Sequence, residues 1–353
     1  MNQSFDNFGS FLQAVAHAAD RPNSTEHQRL LEINRRGYPG PAGASEQVPG
    51  DGGFAVPAEF MPTLIQRLYM SGEILSRCME LPMKSNSLAY PQFFETSRAT
   101  GSRMGGVQAY FVNEGDTFTP TKPKFQRSEL TAKKLIGLVF LTDELLQDAA
   151  ALDIFDTAAF SKEMAFVLED AIVNGLGSGL PQGILGSNAL IEVAKQAGQS
   201  AGTILTANVC DMFARMWSPS RKTAIWLAHP AAEELLLTLS ISVGTGGSEI
   251  PLYHSSKEIG QPWAMMLGAP VIPCEQCQVP GTPGDLIFAD FSRYVIGMRE
   301  RMATAVSLDV RFLTDEAVFR FTMRVDGQPI DAIPVIPFNG TVTTSPFTCI
   351  AQR

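Results

Sequence analysis

Basic residues, histidines and cysteines are all scarce in this chain of 353 residues, and each shortage removes a class of function. Lys and Arg number 27 against 36 Asp and Glu, a formal charge of −9, so a dedicated nucleic-acid reader with a dense basic surface is not expected. The small basic clusters at Lys133 and Lys134 and at Arg299 and Arg301 read as solvated faces or subunit contacts. His17, His27, His229 and His254 are scattered, and none pairs with another at ligand spacing, so no metal site is expected. Five cysteines are an odd number in a chain with no recognisable export signal, which argues for reduced thiols in a cytoplasm. Only Cys274 and Cys277 have the spacing of a redox or zinc motif. A second cysteine pair and a thioredoxin-like strand-to-helix context are both missing, so the pair reads as incidental. No G-x-S-x-G elbow is present either. The expectation is therefore a non-enzyme: no residue is assigned a catalytic, cofactor-binding or metal-binding role.

Long apolar runs are also lacking. No uninterrupted stretch reaches membrane-spanning length, so no membrane partner is expected. Residues 1–20 place Phe5, Phe8, Leu12 and Val15 at helical spacing, but without the basic start and long apolar centre of a signal peptide, and export is not expected. What the chain does have is 45% apolar against 18% charged residues over a length that can bury a sizeable core in two or three subdomains.

The most informative stretch is Leu141 to Gly186. Thr142 can cap a helix whose first turn carries Asp143 and Glu144, and Asp153 offers a second start. Ile154, Ala158, Ala165, Leu168 and Ile172 then share one face, which Phe155, Ala159, Phe166 and Val173 widen, as expected of a helix covered on most sides. Gly175, Gly177 and Gly179 end it and Pro181 prevents resumption. A phosphate-cradling loop would place its glycines before a helix, not after one.

Around that helix, Tyr38 to Gly53 is rich in Gly, Pro, Ala and Ser and reads as an extended arm. Phe60, Leu64, Ile65 and Leu68 repeat at helical spacing in a docking helix. Strand-like runs at Leu88 to Phe94 and Leu135 to Leu141 read as a two-stranded excursion. Its middle, Thr96 to Lys124, has no core of its own and needs support from outside the subunit. Further on, Ile204 to Trp217 and Ala231 to Leu239 read as helices, and Ser240 to Ser248 as a flexible Gly-rich loop. Strands are expected at Thr223 to Leu227, Pro270 to Pro273, Asp285 to Ala289, Tyr294 to Met298, Asp309 to Leu313 and Val318 to Val325. The result is an α+β fold with sheet and helices segregated.

In order, and nearly end to end, these segments resemble the tailed-phage major capsid proteins of the Hong Kong 97 type. The resemblance is carried by Gly52 to Pro57 before the first body helix, Tyr110 to Gly115 in the excursion, and Leu141 to Asp148 opening the long helix. Glu169 to Gly175 with Pro181 to Leu185, Trp226 to Pro230, Leu267 to Val271, Phe288 to Gly297 and Arg324 to Pro329 continue it. The resemblance implies an N-terminal helix and arm at 1–52, a first body helix region at 53–84 and an extended β-hairpin loop at 85–137. It further implies a peripheral domain with a long spine helix at 138–189 and 286–345, an axial domain at 190–285 and a C-terminal tail at 346–353. The implied function is a homo-oligomer of hexamers and pentamers, closing an icosahedral shell around double-stranded DNA with non-specific DNA contact. Its implied partners are a portal protein and, in some relatives, a separate scaffold, a maturation protease and a decoration protein. The implied location is the virion, assembled in the host bacterial cytoplasm.

Some relatives carry a long N-terminal scaffolding segment removed by a protease, whereas about fifty residues precede Gly52 here. A separate scaffold, a retained N-terminal helix and a chain beginning after processing are all compatible with that. Some relatives also weld subunits by a Lys to Asn isopeptide bond. Lys122, Lys124 and Asn339 are present, but the motifs around them do not match, and both lysines read as loop surface charge. Two other readings are a nanocompartment (encapsulin-like) shell enclosing protein cargo and, from a different class, an enzyme with Cys274 as nucleophile.

Overall fold

The structure is a computed structural model and describes residues 73–93, 95–113, 120–142, 149–243, 248–255, 263–311 and 316–353. The arm expected at 1–52 and the helix expected around Phe60 to Leu68 lie outside these residues. In chain order the elements are β1 (Met79–Pro82), β2 (Ser87–Phe93), β3 (Phe125–Thr131), β4 (Lys133–Thr142), α1 (Ala149–Asn174) and β5 (Ile191–Val193). They continue with α2 (Thr206–Arg215), β6 (Ile225–Ala228), α3 (Glu233–Leu237), β7 (Ser240–Val243), β8 (Ser248–Pro251) and β9 (Tyr253–His254). Last come β10 (Ala264–Met266), β11 (Ala269–Pro273), β12 (Leu286–Ala289), β13 (Tyr294–Arg311), β14 (Glu316–Pro329) and β15 (Phe347–Ile350). The fold is mixed α+β, as expected. Among the described residues no helix is long and apolar enough to cross a membrane.

A seven-stranded sheet in the order β5-β15-β12-β6-β11-β10-β9 stands between two cores. Successive side chains of a strand point to opposite faces, so a strand buried on both sides reads as a continuous apolar run. Strand β6 does this: Ile225 and Leu227 enter a core shared with α1 and the long strands, while Trp226 and Ala228 enter a second core with Met212 of α2 and Leu236 of α3. Strand β12 repeats the alternation, with Ile287 and Ala289 on the first side and Leu286 and Phe288 on the second. Trp226 and Phe288 stack at 4.0 Å, and the indole N–H of Trp226 donates to the Met266 carbonyl at 3.0 Å.

The second sheet, β1-β13-β14-β4, is built on long strands, 18 residues in β13 and 14 in β14. The separate strands expected at Tyr294 to Met298 and Asp309 to Leu313 are one element, bent by register shifts that include one between Met298 and Glu300. Strand β4 pairs with β14 throughout, from Lys133 opposite Val325 to Thr142 opposite Glu316. This corrects one expectation. The run Leu135 to Leu141 belongs to the long sheet and not to the excursion; Thr142 is the last residue of β4, and the helical first turn expected at Asp143 and Glu144 lies outside the described residues.

Helix α1 ends as its glycines demand, each for its own reason. A Cβ on Gly175 would lie 2.2 Å from the Pro181 carbonyl oxygen, and Gly177 and Gly179 take left-handed φ values of 78° and 75°. The chain then folds back so that the N–H groups of Ile184 and Leu185 donate to the Ile172 and Val173 carbonyls at 2.9 and 3.1 Å, satisfying the orphaned end of the helix.

Two further expectations fail. Ser240 to Ser248 is not a plain loop: β7 and β8 pair antiparallel from Ser240–Pro251 to Val243–Ser248. Residues 346–353 are not a tail, because β15 lies between β5 and β12 in the seven-stranded sheet and all of its residues are buried. Arg353 reaches Asp285 in an ion pair whose side chains are both wholly buried. Strands β12 and β15 therefore join residues 190–285 in one sheet, and a division at 285/286 cuts through that sheet.

Candidate subunit interface

Strands β2 and β3 form a two-stranded ribbon with Ser87 opposite Thr131 and Phe93 opposite Phe125. Its base is fixed. Leu130 is fully buried with Met83 and Val295, the Thr131 N–H donates to Asp326 Oδ2 at 2.7 Å, and Gln328 Nε2 donates to the Tyr90 hydroxyl at 3.1 Å. The alternation then separates two faces. Gln92, Gln126 and Ser128 turn toward the body across a polar cleft of about 180 Å³ shared with Gln182 and Gln328. The other face carries Phe93 and Phe125, whose ring centroids are 5.1 Å apart and whose side chains are exposed.

Beyond that pair, no large apolar side chain is buried among the described residues of the excursion. Met104 and Tyr110 are about half exposed and Phe111 wholly so. The expected lack of self-support holds for these residues, with one qualification. The Arg98 N–H donates to the Ile336 carbonyl at 2.8 Å and the Ile336 N–H to the Thr96 carbonyl at 3.2 Å. The guanidinium of Arg98 sits 5.1 Å from the Trp217 ring and that of Arg103 5.5 Å from Phe338. One side of the excursion is thus tied to the segment near the C-terminus, which itself exposes Phe338 and Val342.

Other elements also present apolar rows. On β4, Ile136, Leu138 and Phe140 are exposed while Leu135 and Val139 pack on the core. On α1, Ala165, Leu168 and Ile172 are buried as expected, but Phe166, expected to widen the buried stripe, is exposed beside Val167. Single exposed apolar side chains are ordinary; rows of them on one face of an element mark contact surfaces.

Cys274 and Cys277 are buried; the Cys274 thiol donates to Gln276 Oε1 at 2.8 Å, and hydrogen bonding to Cys274 together with burial holds the Cys277 thiol well above its ordinary range. His229 Nδ1 accepts from the Ala231 N–H at 3.1 Å and caps a single turn, and His254 is an exposed residue of β9. His17 and His27 lie outside the described residues. Lys133, expected on a solvated face, binds Asp326 at 3.0 Å and the Gly177 carbonyl at 3.0 Å, while Arg299 donates to Asn86 Oδ1 at 3.0 Å. Lys122, Lys124 and Asn339 are exposed. Among the described residues no three His, Cys, Asp or Glu side chains are grouped to hold a metal.

A partly buried carboxylate on α1 has no signal in the sequence. Glu169 of α1 accepts from the N–H groups of Ile74 at 2.8 Å and Leu75 at 3.2 Å, pinning the segment that leads from the N-terminal region into β1. Burial raises its pKa, the two N–H bonds oppose that, and Glu73 adds to it.

The profile of the phage capsid family matches residues 52–340. Among solved structures, the capsid of a native GTA particle is similar over 80% of this chain and 90% of its own, with a TM-score of 0.60 at 16% identity. A chain of Microbacterium phage Oxtober96 is similar over 79% and 90% at a TM-score of 0.52 and 16% identity, and one of Gordonia phage Cozz over 79% and 85% at 0.52 and 13%. No curated protein matches the sequence. The matched span takes in the ribbon, α1 and all of both large sheets except β15, and the chain belongs to the phage capsid family as a structural shell protein.

Proposed function

We propose that the chain is the repeating unit of an icosahedral bacteriophage capsid, arranged as hexamers and pentamers around double-stranded DNA. The observation that carries this reading is the presence, on one subunit, of several non-equivalent outward apolar rows: the ribbon at Phe93 and Phe125, the β4 face and the α1 face. One such patch makes a dimer; several facing different ways make a subunit that is buried only when surrounded. A standard interface buries roughly 1,600 Å² in total, and contacts of that order on several sides sum to a durable shell. The net charge of −9 fits DNA contact that is non-specific and confined to local basic groups.

In domain terms, the ribbon reaches over a neighbour, α1 and the long four-stranded sheet form the peripheral body, and residues 190–285 with β12 and β15 form the axial body. The β7–β8 hairpin would then lie near the symmetry axis. A portal occupies one vertex, and a scaffold, a maturation protease and a decoration protein are the partners to look for in the virion and during assembly in the bacterial host's cytoplasm. Electron microscopy of the purified chain, paired with light scattering, tests the reading. Uniform hollow shells support it, and shells that copurify with a protein cargo would favour the nanocompartment alternative. A chain that stays a compact monomer at every concentration overturns both.

A further inference from the structure

Strand β11 ends at Pro273, and Cys274, Glu275, Gln276 and Cys277 follow as a tight turn, closed by the Cys277 N–H donating to the Cys274 carbonyl at 3.3 Å. The turn is held at both ends. The Cys274 N–H donates to the Ala228 carbonyl at 2.9 Å, and the Gln278 N–H to the Gly284 carbonyl at 3.0 Å. A turn of this kind keeps its first and last Cα atoms within about 7 Å, and a disulfide spans about 4.4–6.8 Å. The side chains also meet: the Cys277 thiol hydrogen-bonds the Cys274 sulfur, which in turn donates to Gln276 Oε1 at 2.8 Å. Both cysteines are buried, yet Pro273, Glu275 and Gln278 around them are exposed, so the pair lies just beneath the surface. Spacing alone leaves the pair incidental; the closed turn gives it a use.

We propose that Cys274 and Cys277 form a redox-modification site, a dithiol that hydrogen peroxide converts to a disulfide within one subunit. The two thiols are unlike. The hydrogen bond from Cys277 lowers the Cys274 pKa, burial opposes it, and the Gln276 N–H adds to the lowering, whereas Cys277 is raised. Cys274 is therefore the attacking sulfur. Its thiolate attacks one peroxide oxygen and the O–O bond breaks. The departing hydroxide takes up the proton that Cys274 released and leaves as water, with a sulfenic acid on Cys274. The Cys277 sulfur then attacks the Cys274 sulfur, the S–O bond breaks, and the hydroxyl departs as water with the Cys277 proton. Two thiols are oxidised and one hydrogen peroxide is reduced to two waters.

Closure fixes the turn against which α1 ends. Asn174 Nδ2 donates to the Gln276 carbonyl at 2.8 Å, and Gln278 Nε2 donates to Asn174 Oδ1 at 3.0 Å. A pair kept reduced in a cytoplasm closes in an oxidising medium and stiffens the junction of α1 with the seven-stranded sheet. The site lies inside one subunit, so the inference stands apart from the shell reading.

The test uses the full chain, reduced and then exposed to hydrogen peroxide at an excess that oxidises the exposed Cys210. The chain is then unfolded, alkylated and digested with trypsin without reduction. Residues 258–293 form one tryptic peptide whose only cysteines are Cys274 and Cys277. That peptide is expected to be unalkylated and lighter by about 2 Da, and dithiothreitol should restore both thiols. Cys277→Ala should stop at the sulfenic acid and take up dimedone at Cys274, and Cys274→Ala should take up at least about tenfold less at Cys277. In a Cys210→Ser background the oxidised chain should melt at or above the reduced one, because the turn already has the closed geometry. Two alkylated cysteines in that peptide after Cys210 has reacted, a bond from either to Cys349, or an oxidised chain that melts below the reduced one overturns the proposal. Equal dimedone uptake by the two single variants overturns the assignment of Cys274 as the attacking sulfur.

Discussion

Strands β6 and β3 are both short, yet β6 has every residue buried and β3 only one of seven. The difference separates what the fold needs from what the assembly needs. The seven-stranded sheet is covered on both faces within one subunit, so its apolar side chains are accounted for by intramolecular packing. The ribbon packs only its base and leaves Phe93, Phe125 and Phe111 outside. Unfavourable exposure repeated on one face makes sense when a second molecule removes it.

The comparison breaks most visibly if the last strand is removed. Ending the chain at Ser345 takes β15 from between β5 and β12 and leaves Asp285 buried without Arg353. Loss of one partner of a buried pair alone costs about 3–5 kcal/mol, a large part of the total stability of a domain. The expected result is no cooperative thermal transition by circular dichroism; a normal melt would mean that β15 is dispensable. Next in size is Trp226→Ala, expected to cost about 3–5 kcal/mol from the cavity under α2 and α3, with assembly lost only through unfolding. Chemical denaturation checks it, and a loss below about 1 kcal/mol would contradict a close-packed second core.

Glu169 gives the smallest of these effects and the sharpest sign. Its pKa is raised by burial, so the folded state binds more protons than the unfolded one through the range between the ordinary and the raised value. Stability from this group is fully present in acid below the ordinary carboxylate value and declines as pH rises through the raised one. Glu169→Gln keeps an acceptor for the Ile74 and Leu75 N–H groups and should flatten that decline, whereas Glu169→Ala leaves both donors unpaired and should cost about 1–3 kcal/mol. Unfolding curves at several pH values distinguish the three. A steeper decline in Glu169→Gln than in wild type would contradict the assignment.

Legibility in the sequence followed the same divide. Trp226, Leu227 and Phe288 stood out because burial on both faces leaves an unbroken apolar run, and α1 stood out by its length and its glycine stop. Strand partners were harder to read. Leu135 to Leu141 has the composition of a ribbon strand, and only the pairing with β14 assigns it to the long sheet. Phe347 to Ile350 is too short to announce a central strand, and the glycines before Ser248 masked the β7–β8 hairpin. Phe166 adjoins the buried stripe on the helical wheel, and nothing in one chain's periodicity tells an intramolecular cover from an intermolecular one. The run Leu135 to Leu141 is apolar at every position but Gly137, so its sequence does not tell the outward Ile136, Leu138 and Phe140 from the inward Leu135 and Val139.

The measurement closest to the centre of this account replaces residues 94–124 with Asn-Gly, a two-residue turn that suits the directly opposed Phe93 and Phe125. Melting and particle formation are then followed side by side with the wild-type chain. The account predicts a cooperative melt within about 1–2 kcal/mol of wild type, the loss tracing to the contacts with Ile336, Trp217 and Phe338, together with no closed shells by microscopy or scattering. Normal shells from the shortened chain, or a subunit that no longer folds, would contradict it.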